Sequence, residues 1–109
     1  MVNDTQLMKG ILEGCMLKVM AGGQVYGYRA VEILRGYGFD VNEATVYPIL
    51  LRLQNRGMLK VEKRPSPFGP DRKYYSLTNE GEAGLADFTR SWSKLHSTVS
   101  KIMEDDQND

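Results

Sequence analysis

The hydrophobic period of this chain changes from helical to alternating at Gly57, and that switch limits the fold more than any other feature. Before it, Val46, Ile49, Leu50 and Leu53 recur at the spacing that lines one face of an α-helix. After it, Leu59 and Val61 alternate with Lys60 and Glu62, and Tyr75 and Leu77 alternate with Tyr74 and Ser76. That is the period of two half-buried strands. Between them "RPSPFGPDR" holds three of the four prolines and a glycine, which predicts an exposed hairpin tip and not more sheet.

The helix before the switch, "NEATVYPILLRLQNRG", carries a proline two turns in. Asn42 suits an N-cap, since its side-chain oxygen can accept from free N–H groups of the first turn, and Gly57 suits the left-handed residue that ends a helix. With Asn42 as the cap, Pro48 deletes the bond to the Ala44 carbonyl, at about 3 kcal/mol in an ordinary helix interior. A cap at Thr45 nearly removes that cost. The Asn42 start is favoured, with a loosened first turn, so some purpose other than helix stability keeps the proline.

Two further helices precede this one. Leu7, Met8, Ile11, Leu12, Cys15, Met16, Val19 and Met20 predict a helix that is apolar around more than half its circumference, wider than one core needs. "YGYRAVEILRGYG" predicts the next, with Ala30, Val31, Ile33 and Leu34 inward and Gly36 and Gly38 closing it. Through the turn "FDVN" it joins the 42–57 helix in a helix-turn-helix arrangement. Three helices followed by a hairpin make a winged helix.

Thr78 predicts the cap of a last helix in which Leu85, Phe88, Trp92, Leu95, Val99 and Ile102 form an a/d seam. One small domain has little to set against such a seam except a second copy, and the wide stripe of the first helix (Leu7, Ile11, Cys15) offers the matching surface. A twofold dimer is expected. The class is therefore mainly α with a small β-hairpin: a winged helix-turn-helix DNA-binding domain over 1–78, and a dimerisation helix with a short acidic tail over 79–109.

Net charge is zero, but it is segregated. Arg52, Arg56, Lys60, Lys63, Arg64, Arg72 and Lys73 face only Glu62 and Asp71, whereas from Glu80 onward carboxylates outnumber Arg90, Lys94 and Lys101. A basic patch on a neutral chain is the footprint of a polyanionic partner that touches one side. The single cysteine, Cys15, reads as a small buried apolar residue, with redox sensing as the minor alternative. No carboxylate pair, nucleophile elbow, phosphate loop or metal-ligand set is present, so neither an enzyme nor a bound cofactor or metal is expected. With no apolar run of membrane length and no leader, the expected place is the cytoplasm.

Three stretches in order, "YGYRAVEIL", "NEATVYPILLRLQNRGML" and "GPDRKYYSLTNEG", resemble the PadR-type transcriptional regulators, and "SWSKL" in the last helix resembles their short-tailed subgroup. The resemblance implies a winged-helix dimer that represses transcription at an inverted-repeat operator. It also implies release by a small aromatic or hydrophobic effector, such as a phenolic acid or a drug-like molecule. On the residues themselves, Asn42, Ala44, Thr45, Tyr47, Pro48 and Arg52 form the side of the helix that would enter a major groove, and Lys63, Arg64, Arg72 and Lys73 would meet phosphate. Leu85, Phe88, Trp92, Leu95, Val99 and Ile102, with Leu7, Ile11 and Cys15, would form the dimer. A gap between paired Trp92 side chains, bordered by Phe88, Leu95 and His96, would take the effector. A constitutive repressor, and a winged helix that docks on protein through Tyr47 and Leu51, remain alternatives.

Overall fold

Residues 5–8 and 10–105 are described by the computed structural model. Along the chain run α1 (Thr5–Met8), α2 (Ile11–Met20), β1 (Val25–Tyr26), α3 (Gly27–Tyr37), α4 (Glu43–Asn55), β2 (Leu59–Ser66), β3 (Gly69–Leu77) and α5 (Asn79–Met103). The architecture is a winged helix with a long terminal helix, as the period switch implied.

Local chemistry accounts for most boundaries. The Asn42 side chain accepts from Thr45 N–H at 3.3 Å, which settles the start of α4 in favour of Asn42 and leaves Pro48 inside the helix. Its first turn is not loosened: Thr45 and Val46 N–H both reach the Asn42 carbonyl, at 3.1 and 3.0 Å. Gly57, at φ 77, follows the last turn. At the other boundary Thr78 caps α5, its hydroxyl accepting from Gly81 N–H at 3.0 Å and donating to the Gly57 carbonyl at 2.5 Å. One threonine thus ties the start of α5 to the end of α4.

Val46, Ile49, Leu50 and Leu53 are buried, and with Met16, Met20, Ala30, Val31 and Leu34 they make one core that Leu59 and Tyr75 close from the sheet. Burying each large side chain of this kind contributes about 1.5–3 kcal/mol.

Four sequence expectations change. The first helix is two pieces, because Gly10 sits at φ 88, a left-handed conformation that a continuing helix does not adopt. Gly36 lies inside α3, and only Gly38, at φ 117, ends it; Ile33 is half-buried and not a full core residue. A third strand, β1, pairs with β3 through Val25↔Tyr75 and Tyr26↔Tyr74, giving the order β1-β3-β2. Finally, the hairpin ladder continues through Pro65 and Pro70 to Ser66↔Gly69, leaving only Pro67 and Phe68 as the tip. The prolines fit because the register shifts between Arg64 and Ser66, and because β1 reaches only Tyr74 and Tyr75, so this end of the hairpin has free edges. Of the acidic tail, residues 106–109 lie outside the described residues.

Candidate nucleic-acid interface

With its apolar face turned inward, α4 presents Ala44, Thr45, Tyr47, Pro48, Leu51, Arg52 and Asn55 to solvent, and Asn42 stands exposed at its mouth. The sequence-selected residues of this helix therefore share one open side. Tyr47 sits at the edge, 44% exposed, its ring against Gly27 at the start of α3. Burial first, then the Glu43 carboxylate, push its phenol above the usual tyrosine value, so at neutral pH it keeps its proton and can donate a hydrogen bond.

Strand alternation divides the four cations of the wing. Lys63 pairs with Lys73 and Arg64 with Arg72, so the lysines project on the sheet face that carries Val61 and Tyr75 and the arginines on the opposite one. The lysines are exposed, and among the described residues neither meets a carboxylate. The arginines are engaged. Arg64 lies 4.6 Å over the Tyr74 ring, bonds Gln24 and sits 3.5 Å from Glu62, while Arg72 lies 4.8 Å over the Tyr26 ring. Tyr26 and Tyr74 in turn contact each other, centroids 5.8 Å apart. Cation–π contacts at exposed sites contribute about 0.5–1 kcal/mol each.

Arg52 is not free either. Its Nε and Nη2 donate to Glu13 Oε2 at 3.2 and 3.1 Å, and Arg56 Nη1 donates to Glu13 Oε1 at 2.8 Å. Glu13, Gln24, Tyr26 and Tyr74 escaped the sequence reading because their partners are remote in the chain.

The seam of α5 also divides. Leu85 packs on the core and the Phe88 ring lies directly on Gly14 of α2, where an added Cβ would fall 2.2 Å from it. Beyond them Trp92, Leu95, Val99 and Ile102 are 43%, 56%, 44% and 65% exposed. The Trp92 and His96 rings touch, 5.5 Å between centroids. Phe88 thus serves its own domain before any partner or ligand. Of the first-helix residues expected at the dimer, Leu7 is exposed, and Ile11 and Cys15 are half-buried. Burial pushes the Cys15 thiol above its ordinary value, which disfavours the reactive thiolate.

An α4 with one open polar side, a hairpin wing and a projecting terminal helix define a class, and similarity to known proteins narrows it. The model of the transcriptional regulator PadR-like family matches residues 16–87, well over half of the chain. The chain belongs to that family. A Streptococcus transcriptional regulator of known structure is 44% identical, with a TM-score of 0.81 over 92% of this chain and 99% of that one. A PadR-like transcriptional regulator from Bacillus cereus is 37% identical, with a TM-score of 0.83 over 93% and 99%. Bacillus subtilis PadR, solved in complex with operator DNA, shares the fold at 22% identity and a TM-score of 0.68, over 73% of this chain and 46% of that one. Family members are transcriptional regulators and not enzymes. Among the described residues no helix is long and apolar enough to cross a membrane.

Proposed function

We propose that this protein is a dimeric, cytoplasmic repressor that binds an inverted-repeat operator through α4 and the wing, and that a flat aromatic or hydrophobic ligand at the dimer seam releases it. The open side of α4 carries this reading. Free N–H groups at its start favour phosphate, and Thr45 and Pro48 offer a hydroxyl and apolar carbon to base edges such as the thymine methyl. Tyr47 donates to phosphate from the edge, and the exposed Lys63 and Lys73 meet phosphate from the wing. Pro48 is tolerated because the cap and the core hold that end of α4. The operator complex of Bacillus subtilis PadR supports the same use of the fold.

The unsupported part of α5 supplies the dimer, since Trp92, Leu95, Val99 and Ile102 lie exposed along one face of a helix that packs on its own domain only at its start. In a twofold arrangement two Trp92 side chains meet near the axis, and the space between them, with Leu95 and His96, is where a flat ligand fits. Such a ligand does not touch DNA. It acts by favouring a dimer in which the two α4 helices no longer match successive major grooves, about 34–36 Å apart. By linkage, operator weakens the ligand by the same factor as the ligand weakens operator, commonly about 5–150-fold.

The exposed Tyr47 and Leu51 also suit a protein-docking module. Salt separates the two readings: phosphate contacts make log affinity fall with log salt, at a slope of about −0.9 for each phosphate neutralised, and apolar docking does not. Fluorescence anisotropy of labelled duplex DNA across a salt series is the test.

A further inference from the structure

Thr45, Arg52 and Arg56 are separated by seven and then four residues, which on a 3.6-residue helix places all three within about 20° of one line along α4. At its N-terminal end this line is open. At its C-terminal end both guanidinium groups converge on one carboxylate, that of Glu13, which accepts three N–H bonds between 2.8 and 3.2 Å and has both oxygens occupied. Glu13 belongs to the first turn of α2 and Arg52 to the last turn of α4. Each charge therefore also complements the dipole of its own helix. The Glu13 side chain is 24% exposed, against 45% and 53% for the two arginines. The carboxylate is the more enclosed partner, and the cations reach it from the surface.

A forked guanidinium pair around two oxygens is also the arrangement that binds a phosphate. We propose that Glu13 is a specificity-determining residue that acts as an internal stand-in for phosphate. It engages Arg52 and Arg56, keeps them from DNA backbones of any sequence, and ends the DNA-reading surface near Leu51. The proposal rests on the DNA-binding reading of α4. Without Glu13 the basic stripe of α4 would extend by two phosphate-binding groups that carry no base information, so affinity for all DNA would rise and discrimination would fall. The wing follows the same logic more weakly. Arg64 is drawn to Glu62, and among the described residues the lysines on the other face meet no carboxylate.

The test uses the full chain with Glu13→Gln, titrated onto two labelled duplexes: the inverted repeat nearest upstream of its own coding region, and a scrambled duplex of the same composition. For Glu13→Gln on scrambled DNA, the expected result is an affinity about tenfold higher at 50 mM salt and a log–log slope steeper by about one to two, with a smaller gain on the inverted repeat. Glu104→Gln, which removes one charge just beyond the far end of α5, should leave the slope unchanged. If Glu13→Gln leaves both slopes as they were, the proposal is wrong. Arg56→Ala in the otherwise intact protein gives a second reading that does not depend on how well the glutamine variant folds. The slope stays unchanged if Glu13 already holds Arg56, and flattening by about 0.9 overturns the proposal. Salt-independent binding by the unaltered protein would instead remove the DNA reading itself, and this inference with it.

Discussion

Two helices of this protein leave one side open, and the two sides differ in kind. The open side of α4 is short, mixed and partly charged, with Thr45, Tyr47 and Pro48 near its capped start and two arginines bonded to one carboxylate near its end. The open side of α5 is apolar, with Trp92, Leu95, Val99, Ile102 and Met103 on a helix that leaves its own domain after Phe88. A water-exposed row of large apolar side chains marks an interaction surface, whereas a polar row with free N–H groups at its head suits an anion. On the proposed reading, the fold separates its two contacts: one for a charged, hydrated partner and one for a second copy of itself.

The sharpest way to break this contrast is to put a charge on the apolar side. Leu95→Asp places a carboxylate on each chain in the seam, and should weaken dimerisation by more than about a hundredfold, combining lost apolar burial with the cost of burying charge. Sedimentation velocity at micromolar concentration reads the result, and a wild type that is already monomeric removes the comparison altogether.

Neighbouring positions on α4 sharpen it next. Leu50 is buried and Leu51 is 57% exposed. Leu50→Ala should destabilise the fold by about 2–5 kcal/mol in denaturant unfolding, while Leu51→Ala should stay within about 0.5 kcal/mol. If the two behave alike, the assignment of inner and outer sides is wrong.

A middle-sized effect is expected at the junction of the two regions. In Gly14→Ala the new methyl meets the Phe88 ring. Overpacking of this kind costs about 1–3 kcal/mol, and it should shift the start of α5 against α2, lowering Tm and altering the dimer together. Trp92→Ala, one turn further along, should leave DNA affinity within about tenfold and abolish any effect of flat aromatic ligands on operator binding; in the unaltered protein, quenching reads the binding itself. Trp92 is the sole tryptophan, so intrinsic fluorescence reports on it directly. A quenching ligand that leaves operator affinity unchanged would favour a constitutive repressor.

The smallest effect belongs to the wing. Lys73→Ala should reduce the salt slope by about 0.9, equally on operator and scrambled DNA, because a phosphate contact carries no sequence information. A loss confined to one sequence would mean that Lys73 reads bases.

Where local rules decide structure, the sequence was readable. Asn42 and Thr78 cap where their side chains dictate, and Val46, Ile49, Leu50 and Leu53 bury as their spacing requires. What escaped was either too short to carry a period or decided across the chain. Two residues, Val25 and Tyr26, show no alternation, and only their pairing with β3 makes them a strand. Gly10 breaks a helix whose apolar pattern runs on through it. The wing cations look like one cluster in sequence, but the pleat assigns Lys63 and Lys73 to one face and Arg64 and Arg72 to the other. The bonds from Glu13 to Arg52 and Arg56 span 39 and 43 residues, beyond any local signal.

On the proposed reading, the open side of α4 and the wing of each protomer bind DNA as a pair of half-site readers. Anisotropy titrations of the intact protein onto the inverted repeat upstream of its own coding region, from 50 to 300 mM salt, test it most directly. The expected result is two chains per duplex, a log–log slope of several units, and weaker binding to a scrambled duplex at every salt concentration. One chain per duplex, or an affinity indifferent to salt and sequence, would contradict it.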